Sequence, residues 1–240
     1  MPRIVILGCG TGVGKTRVSA ALLRELTRRR QPCVGLKPIE SGVGSNELGT
    51  PPLGSDAALL SEAGSLRAHH AHPLYAFREP ISPHLAARRA GTLIEVDRVC
   101  DWLSRIELSM TPGVSSDSVT WRVIETAGGV FSPLGPGLTN FDLARALEPA
   151  VWVLVAADAL GVLHDVSATR EAMMARGRSP DHLVLSQARE PDASTGSNAT
   201  ELNALGIATP SALLARHDDR GIGALVDRLL TLDPNHATYG

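Results

Sequence analysis

Short apolar runs alternate along this chain with longer stretches of helical period, and glycine or small polar residues close most of the runs. Arg3–Leu7 has the near-continuous apolar composition of a strand buried on both faces, and it leads into a glycine-rich turn. From Gly14 to about Arg30, Val18, Leu22 and Leu26 fall on one stripe, which predicts a helix. Cys33–Lys37 is a second apolar run. A strand, loop, helix and strand in this order predict a parallel sheet with a right-handed crossover. Further strands are predicted at Arg122–Glu125, Val151–Ala156 and His182–Leu185. Helices are predicted near Asp56–Glu62, His84–Ala90, Glu95–Leu108, His164–Ala175, Ala199–Leu205 and Gly223–Leu230. Thr111–Ser118 and Gln187–Asn198 read as surface loops, and Gly42–Gly54 as a segment mobile without ligand. The alternation predicts a doubly wound α/β fold with a mostly parallel sheet. With neither an internal repeat nor a linker in view, we expect a single domain over residues 1–240.

Composition adds limits. The 43% hydrophobic and 20% charged fractions are those of an ordinary globular protein. A net charge of −2 argues against nucleic acid as a partner. The basic run Arg28-Arg29-Arg30 falls at the expected end of the first helix, where it complements the helix dipole. Three scattered cysteines, Cys9, Cys33 and Cys100, fit a reducing compartment, and the expected location is cytoplasmic. The first apolar run is too short for a signal peptide and no later run approaches a membrane span, so no membrane association is expected.

Candidate chemistry changes the picture more. Only two of the 23 basic residues are lysine, Lys15 and Lys37, and each lies beside a glycine-rich turn. An ammonium is a compact charge on a flexible stem, suited to gripping a phosphate oxygen at the mouth of a tight loop. Codon drift would leave the same count by chance. Gly8-Cys9-Gly10-Thr11-Gly12-Val13-Gly14-Lys15-Thr16 joins the first strand to the first helix. Such a loop turns successive backbone N–H groups toward phosphate oxygens. Lys15 would reach the β/γ phosphates, and Thr16 would ligate Mg²⁺. The strict phosphate-loop pattern is not met, because its leading glycine falls at Cys9 while Gly8 lies one position earlier. The fold expected is therefore P-loop NTPase-like.

Glu125, in Val123-Ile124-Glu125-Thr126-Ala127-Gly128-Gly129, ends a buried strand before a small-residue loop. That is where a second Mg²⁺ contact is expected in an open α/β sheet, although a turn-forming role is also open. Asp56 fits a helix-terminal charge and a metal ligand equally well. His84, after two prolines in Glu79-Pro80-Ile81-Ser82-Pro83-His84, either touches ligand or simply opens a helix. The cluster His69, His70 and His72 lacks matching carboxylates and reads as a loop rather than a metal site.

Together these segments resemble the dethiobiotin synthetases, ATP-dependent cyclo-ligases of biotin synthesis. The resemblance rests on the Gly8–Thr16 loop, Gly35-Leu36-Lys37-Pro38 with Ser41-Gly42, Ser55-Asp56-Ala57 and Phe77–His84. Glu125–Gly129 with Phe131–Leu134, and Leu160-Gly161, complete it. It covers roughly the first two thirds of the chain; the remainder matches only in its rhythm of strands and helices. It implies that 7,8-diaminopelargonic acid takes up CO₂ as a carbamate, which attacks the γ-phosphate of ATP before the second amine closes the ring. Lys37, Lys15 and Thr11 would be the catalytic residues. Gly12, Val13, Gly14, Lys15, Thr16, Arg17 and Ser186 would bind the nucleotide, which is ATP with other triphosphates left open. Thr16, Asp56 and Glu125 would hold Mg²⁺. Ser41, Gly128, Gly129, Leu160 and Gly161 would meet the diamine, the last two from the partner subunit of a homodimer.

The chain departs from the family pattern at several points. Cys9 and Gly10 replace a Thr-Asp pair, and Thr126 replaces a glycine. His164 and Asp165 stand where the substrate-capping helix start reads Asn-His. Leu185-Ser186 ends the strand that normally ends in a purine-reading asparagine. Two alternatives follow: a diverged, non-catalytic nucleotide-binding paralogue, and a partition-type P-loop ATPase. The latter carries a signature lysine where Gly10 stands here.

Overall fold

The computed structural model describes residues 2–43, 53–67, 72–109 and 120–231. In chain order the elements begin with β1 (Arg3–Gly8), α1 (Lys15–Arg28), β2 (Cys33–Leu36), β3 (Ile39–Ser41), α2 (Asp56–Ala63) and β4 (Tyr75–Phe77). Next come α3 (Pro83–Arg89), α4 (Val96–Ser109), β5 (Trp121–Glu125), β6 (Pro133–Gly135), β7 (Leu138–Thr139) and α5 (Asn140–Ala146). The chain continues with β8 (Val151–Asp158), α6 (Val162–Ala175), β9 (His182–Gln187), α7 (Asn198–Ala204), β10 (Ala212–Leu214) and α8 (Gly223–Thr231).

Six strands form one sheet in the order β10-β9-β8-β1-β5-β2, and every pairing in it is parallel. Two small sheets accompany it, parallel β3-β4 and antiparallel β6-β7. The alternation along β1 explains the layering. Ile4 and Ile6 face α1, α2 and α8, while Val5 and Leu7 face the side covered by α3 to α6. Both faces of the strand are therefore buried, which is why its sequence is apolar without a polar alternate. β1 lies between β5 and β8, so the connections diverge from it in opposite directions. That is the switch point where an open α/β sheet forms its binding crevice, beyond the carboxyl ends of its strands.

The doubly wound parallel fold expected from the sequence is present, with helix bounds shifted by one or two residues. The short elements β3, β4, β6, β7, β10 and α5 were not anticipated. The β3-β4 pair and β10 have only three residues per strand, and α5 has seven. Such lengths are too short for a periodicity to register. Thr111–Ser118, His69, His70 and most of Gly42–Gly54 lie outside the described residues. His72 pairs through Nδ1 with the carbonyl of Pro73 at 2.6 Å. No helix among the described residues is long and apolar enough to cross a membrane.

Gly35 sets how closely the helices approach β2. A methyl group on its Cα would lie 2.6 Å from Leu23 Cδ1 of α1 and 2.8 Å from the Leu60 carbonyl of α2. The packed backbone of α2 cannot yield as a flexible side chain would. Gly35→Ala is expected to lower unfolding stability by about 1–3 kcal/mol. Chemical denaturation checks this; an unchanged midpoint would contradict the close approach.

Candidate active site

The turn between β1 and α1 has the form its sequence predicts. Gly12 and Gly14 take φ of 75° and 93°, in the left-handed region that a side chain resists. Gly8 serves by its small size. A Cβ there would meet the Gly10 carbonyl at 2.9 Å and both Lys15 Nζ and Val13 at 3.0 Å. The glycine displaced by one position therefore still does steric work at the mouth of the loop. Lys15 Nζ folds back to donate to the Gly10 carbonyl at 3.1 Å. Burial pulls the Lys15 ammonium down to about 8, against the raising influence of Glu125.

Glu125 ends β5 fully buried, and three donors converge on it. Thr16 Oγ1 donates to Oε1 at 2.9 Å, Ser19 Oγ to Oε2 at 2.8 Å, and Lys37 Nζ to Oε1 at 2.6 Å. Lys37 also donates to Asp56 Oδ2 at 2.5 Å. Burial alone would lower the Lys37 pKa, but Glu125 and Asp56 outweigh it and hold the group above the ordinary lysine value. Lys37 is therefore a fixed cation, buried beside two carboxylates.

These groups border a cavity of about 660 Å³ that Thr11, Ser41, Gly128 and Arg17 also line. The structure thus brings Thr11, Lys15, Thr16, Lys37, Ser41, Asp56, Glu125 and Gly128 together. Gly129 lies just beyond, beside Cys9, Gly10 and Thr11 at a smaller cavity of about 350 Å³. Leu160 and Gly161 line neither space, and Leu160 is 85% exposed. Asp56 stands in the first turn of α2, as its helix-terminal reading expects, while the N-cap hydrogen bond falls to Ser55, whose Oγ accepts from Ala58 N at 3.1 Å. That leaves the Asp56 carboxylate free to face Lys37. His84 takes its structural reading: Nδ1 pairs with Ser82 Oγ at 2.9 Å at the start of α3, outside the cavity lining.

A separate cavity of about 400 Å³ opens beside the end of β9, between Gly12–Gly14, Ser186, Gln187 and Arg216. Ser186 sits so close that a Cβ on Gly14 would lie 2.5 Å from its Oγ. Arg17 is engaged with the chain after β10, donating to the Leu214 carbonyl at 3.2 Å and to the Ala215 carbonyl. It works there as a strut tying α1 to that loop. Thr126 also turns away from the cleft, donating from Oγ1 to the Ile6 carbonyl at 2.9 Å. The added side chain is thereby accommodated at the carboxyl end of β5, against β1. Gly10 has open space, since a Cβ would approach Val13 only to 3.8 Å.

Three functional neighbours were missed in the sequence. Ser19 follows Thr16 by three residues on the same helical face, and that spacing was the available signal. Asn140 is fully buried and donates to the Ala127 and Gly129 carbonyls at 2.6 and 2.8 Å, shaping the loop after Glu125. Glu40 is buried as well and accepts from the Asp56 and Ala57 amides at 2.7 and 3.1 Å. Neither Asn140 nor Glu40 carries a local sequence signal, because their partners are distant in the chain.

Thr16 Oγ1, Asp56 and Glu125 form a set of hard oxygen donors next to a phosphate-sized turn, which fits Mg²⁺ and suits no softer metal. Among the described residues, no cluster of three or more His, Cys, Asp or Glu offers another metal site.

Known proteins resemble this chain to differing degrees. A family model described as "AAA domain" matches residues 2–227. The ATP-dependent dethiobiotin synthetase BioD of Frankia casuarinae is 34% identical over 208 residues, covering 85% of this chain and 80% of that protein. The enzyme of the same name from Anaeromyxobacter dehalogenans strain 2CP-C is 35% identical over 221 residues, covering 91% and 92%. Among solved structures, the MinC:MinD cell division complex of Aquifex aeolicus superposes with a TM-score of 0.55 at 12% identity, covering 96% of each chain. A ParA family ATPase from Chlorobium tepidum TLS gives 0.50 at 14% identity, covering 94% of this chain and 88% of that one. These two share the P-loop fold alone, so the partition-type alternative gains nothing specific from them. Sequence identity near one third over most of two full-length proteins is a different order of likeness, and by it the chain belongs to the dethiobiotin synthetase family.

Proposed function

We propose that this protein carboxylates 7,8-diaminopelargonic acid with CO₂ and closes the ureido ring of dethiobiotin, converting ATP to ADP and phosphate. The observation that carries the reading is the Lys37 ammonium, buried and held at 2.5 and 2.6 Å from Asp56 and Glu125 beside the phosphate-binding turn. A phosphoryl transfer asks for positioning and fixed charge more than for covalent chemistry, and this is such an arrangement.

Gly12–Thr16 would hold the triphosphate, with the Lys15 ammonium near its terminal oxygens and Ser186 and Gln187 on the side of the base. One amine of the diamine takes up CO₂ and loses a proton, giving a carbamate near Thr11, Ser41 and Gly128. A carbamate oxygen attacks the γ-phosphorus as the bond to the ADP oxygen breaks, leaving a carbamic–phosphoric anhydride. Lys37 and Lys15 stabilise the charge that builds on the transferred group. The second amine then attacks the carbonyl carbon and gives up a proton to the departing phosphate, which leaves with the C–O electron pair. Thr16, Asp56 and Glu125 would hold Mg²⁺, which when bound neutralises charge on the β and γ oxygens.

The assembly we infer is a homodimer. The exposure of Leu160, beside the left-handed Gly161 that begins α6, supports the turn at Leu160–His164 as a contribution to the partner's diamine site. Cys9, Cys33 and Cys100 are free thiols, in keeping with a reducing cytoplasmic setting.

Purified protein supplied with the diamine, bicarbonate, Mg²⁺ and a panel of nucleoside triphosphates is expected to form dethiobiotin, read by mass spectrometry. Absence of product with every triphosphate at high substrate would overturn the reading. Lys37→Arg keeps the charge but replaces a compact cation with a wide fork. It is expected to lower turnover by a factor of about 100 or more while cooperative thermal unfolding is retained. Turnover at the wild-type rate would remove Lys37 from the chemistry.

A further inference from the structure

Asp56 is the one metal-site carboxylate that burial does not lock. Its side chain is 38% exposed, whereas Glu125 is fully enclosed. Lys37 holds the Asp56 carboxylate on one side at 2.5 Å; the rest of its placement comes from its backbone, and the backbone at the start of α2 is held in an unusual way. A helix leaves its first N–H groups without intrahelical partners, and one capping side chain ordinarily satisfies one of them. Ser55 does this for Ala58 at 3.1 Å. The amides of Asp56 and Ala57 are both taken by the Glu40 carboxylate, one on each oxygen, at 2.7 and 3.1 Å.

Glu40 reaches α2 from β3, and β3 is itself fixed. Its residues pair in parallel register with β4, Glu40 opposite Ala76, and Ile39 beside it is buried. The same segment carries Lys37 three residues earlier and Ser41 one residue later. A single stretch of chain therefore presents the ammonium and, through Glu40, positions the carboxylate that meets it. Both Glu40 oxygens are aimed at amides, so the group acts as a clamp on the backbone.

On the reading of this cleft as a Mg²⁺- and ATP-dependent site, we propose that Glu40 is its positioning residue. By gripping the amides of Asp56 and Ala57, it sets the Asp56 carboxylate against Lys37 and Glu125. Loss of the grip loosens metal binding while leaving the phosphate-binding turn intact. Residues that orient ligands in this way commonly contribute 10- to 100-fold to metal affinity.

The test uses the full chain and two variants. Glu40→Gln keeps the size and one acceptor but turns an NH₂ toward the other amide; Glu40→Ala removes the clamp. Mn²⁺ binding in the presence of ADP is read from the electron paramagnetic resonance signal of free Mn²⁺, and ADP binding is read separately in EDTA. Amide hydrogen exchange is followed at residues 56–58. The expected result is a Mn²⁺ dissociation constant raised about ten-fold in both variants, faster exchange at residues 56–58, and unchanged metal-free ADP affinity. The half-saturating Mg²⁺ for turnover should rise in parallel. Wild-type Mn²⁺ affinity in either variant, even with a lowered melting temperature, would reduce Glu40 to a structural residue and overturn the proposal. If the wild-type chain makes no dethiobiotin while the Mn²⁺ shift appears, the positioning role stands and the assigned reaction falls.

Discussion

The fully enclosed carboxylate of Glu125 is the constraint around which the site is organised. An ionised carboxylate taken out of water costs several kcal/mol unless other groups repay its lost hydration. Here Thr16, Ser19 and Lys37 do so, drawn from α1 and from the end of β2. Lys37 is itself buried and is kept charged by the same carboxylate and by Asp56. Each group is tolerable inside the protein only because the others are present. The phosphate-binding turn, the Lys-Pro segment and the end of β5 are thus bound by electrostatic necessity as well as by packing. Removing one member of such a set leaves an unpaired buried charge, a larger penalty than the net worth of the pair.

That mutual dependence also explains which parts were legible in the sequence. β1, α1 and β2, with the loop between them, announce themselves through apolar runs and glycine spacing, because local sequence dictates local structure there. Lys37 was visible as a rare lysine and Glu125 as an acid at the end of an apolar run. Glu40 and Asn140 act by reaching groups brought close by tertiary folding, and an isolated Glu or Asn in a string of letters does not reveal its partner. α5 did carry a faint signal, since Asp142 accepts from the amide of Thr139 three residues before it at 2.8 Å. The orientation of Thr126 shows the reverse limit. The family resemblance marks it as a branched side chain added where the backbone should lie near ligand, but the turn after β5 sends its hydroxyl to the Ile6 carbonyl.

The departures from the family pattern fall into two kinds. Thr126 and the displaced Gly8 are absorbed by the local packing, and the cleft keeps its shape. Gly10 and the Ser186-Gln187 end of β9 instead alter what a ligand would meet. Gly10 offers open space, while Ser186 leaves no room for a side chain on Gly14 and Gln187 accepts from the Arg216 amide at 2.7 Å. The phosphate side of the cleft is therefore constrained by buried charge. The end of the cleft at Ser186 and Gln187 is built from polar side chains and a loop that Arg17 holds by its carbonyls.

The position of β5 has a consequence for how the molecule comes into being. β1 and β2 are not neighbours in the sheet; β5, some ninety residues after β2, stands between them and pairs with both. During synthesis the first two strands and their helix emerge well before the strand that joins them. Non-local parallel pairing of this kind is slow to form, because the closure entropy precedes the contacts that reward it. Glu125 arrives on that same strand, so Lys37 gains its buried carboxylate partner only when the middle of the sheet closes. Until then the lysine stays in water as an ordinary solvated cation. Completion of the sheet and maturation of the charged centre are one event, and a nascent chain that has not yet inserted β5 has neither.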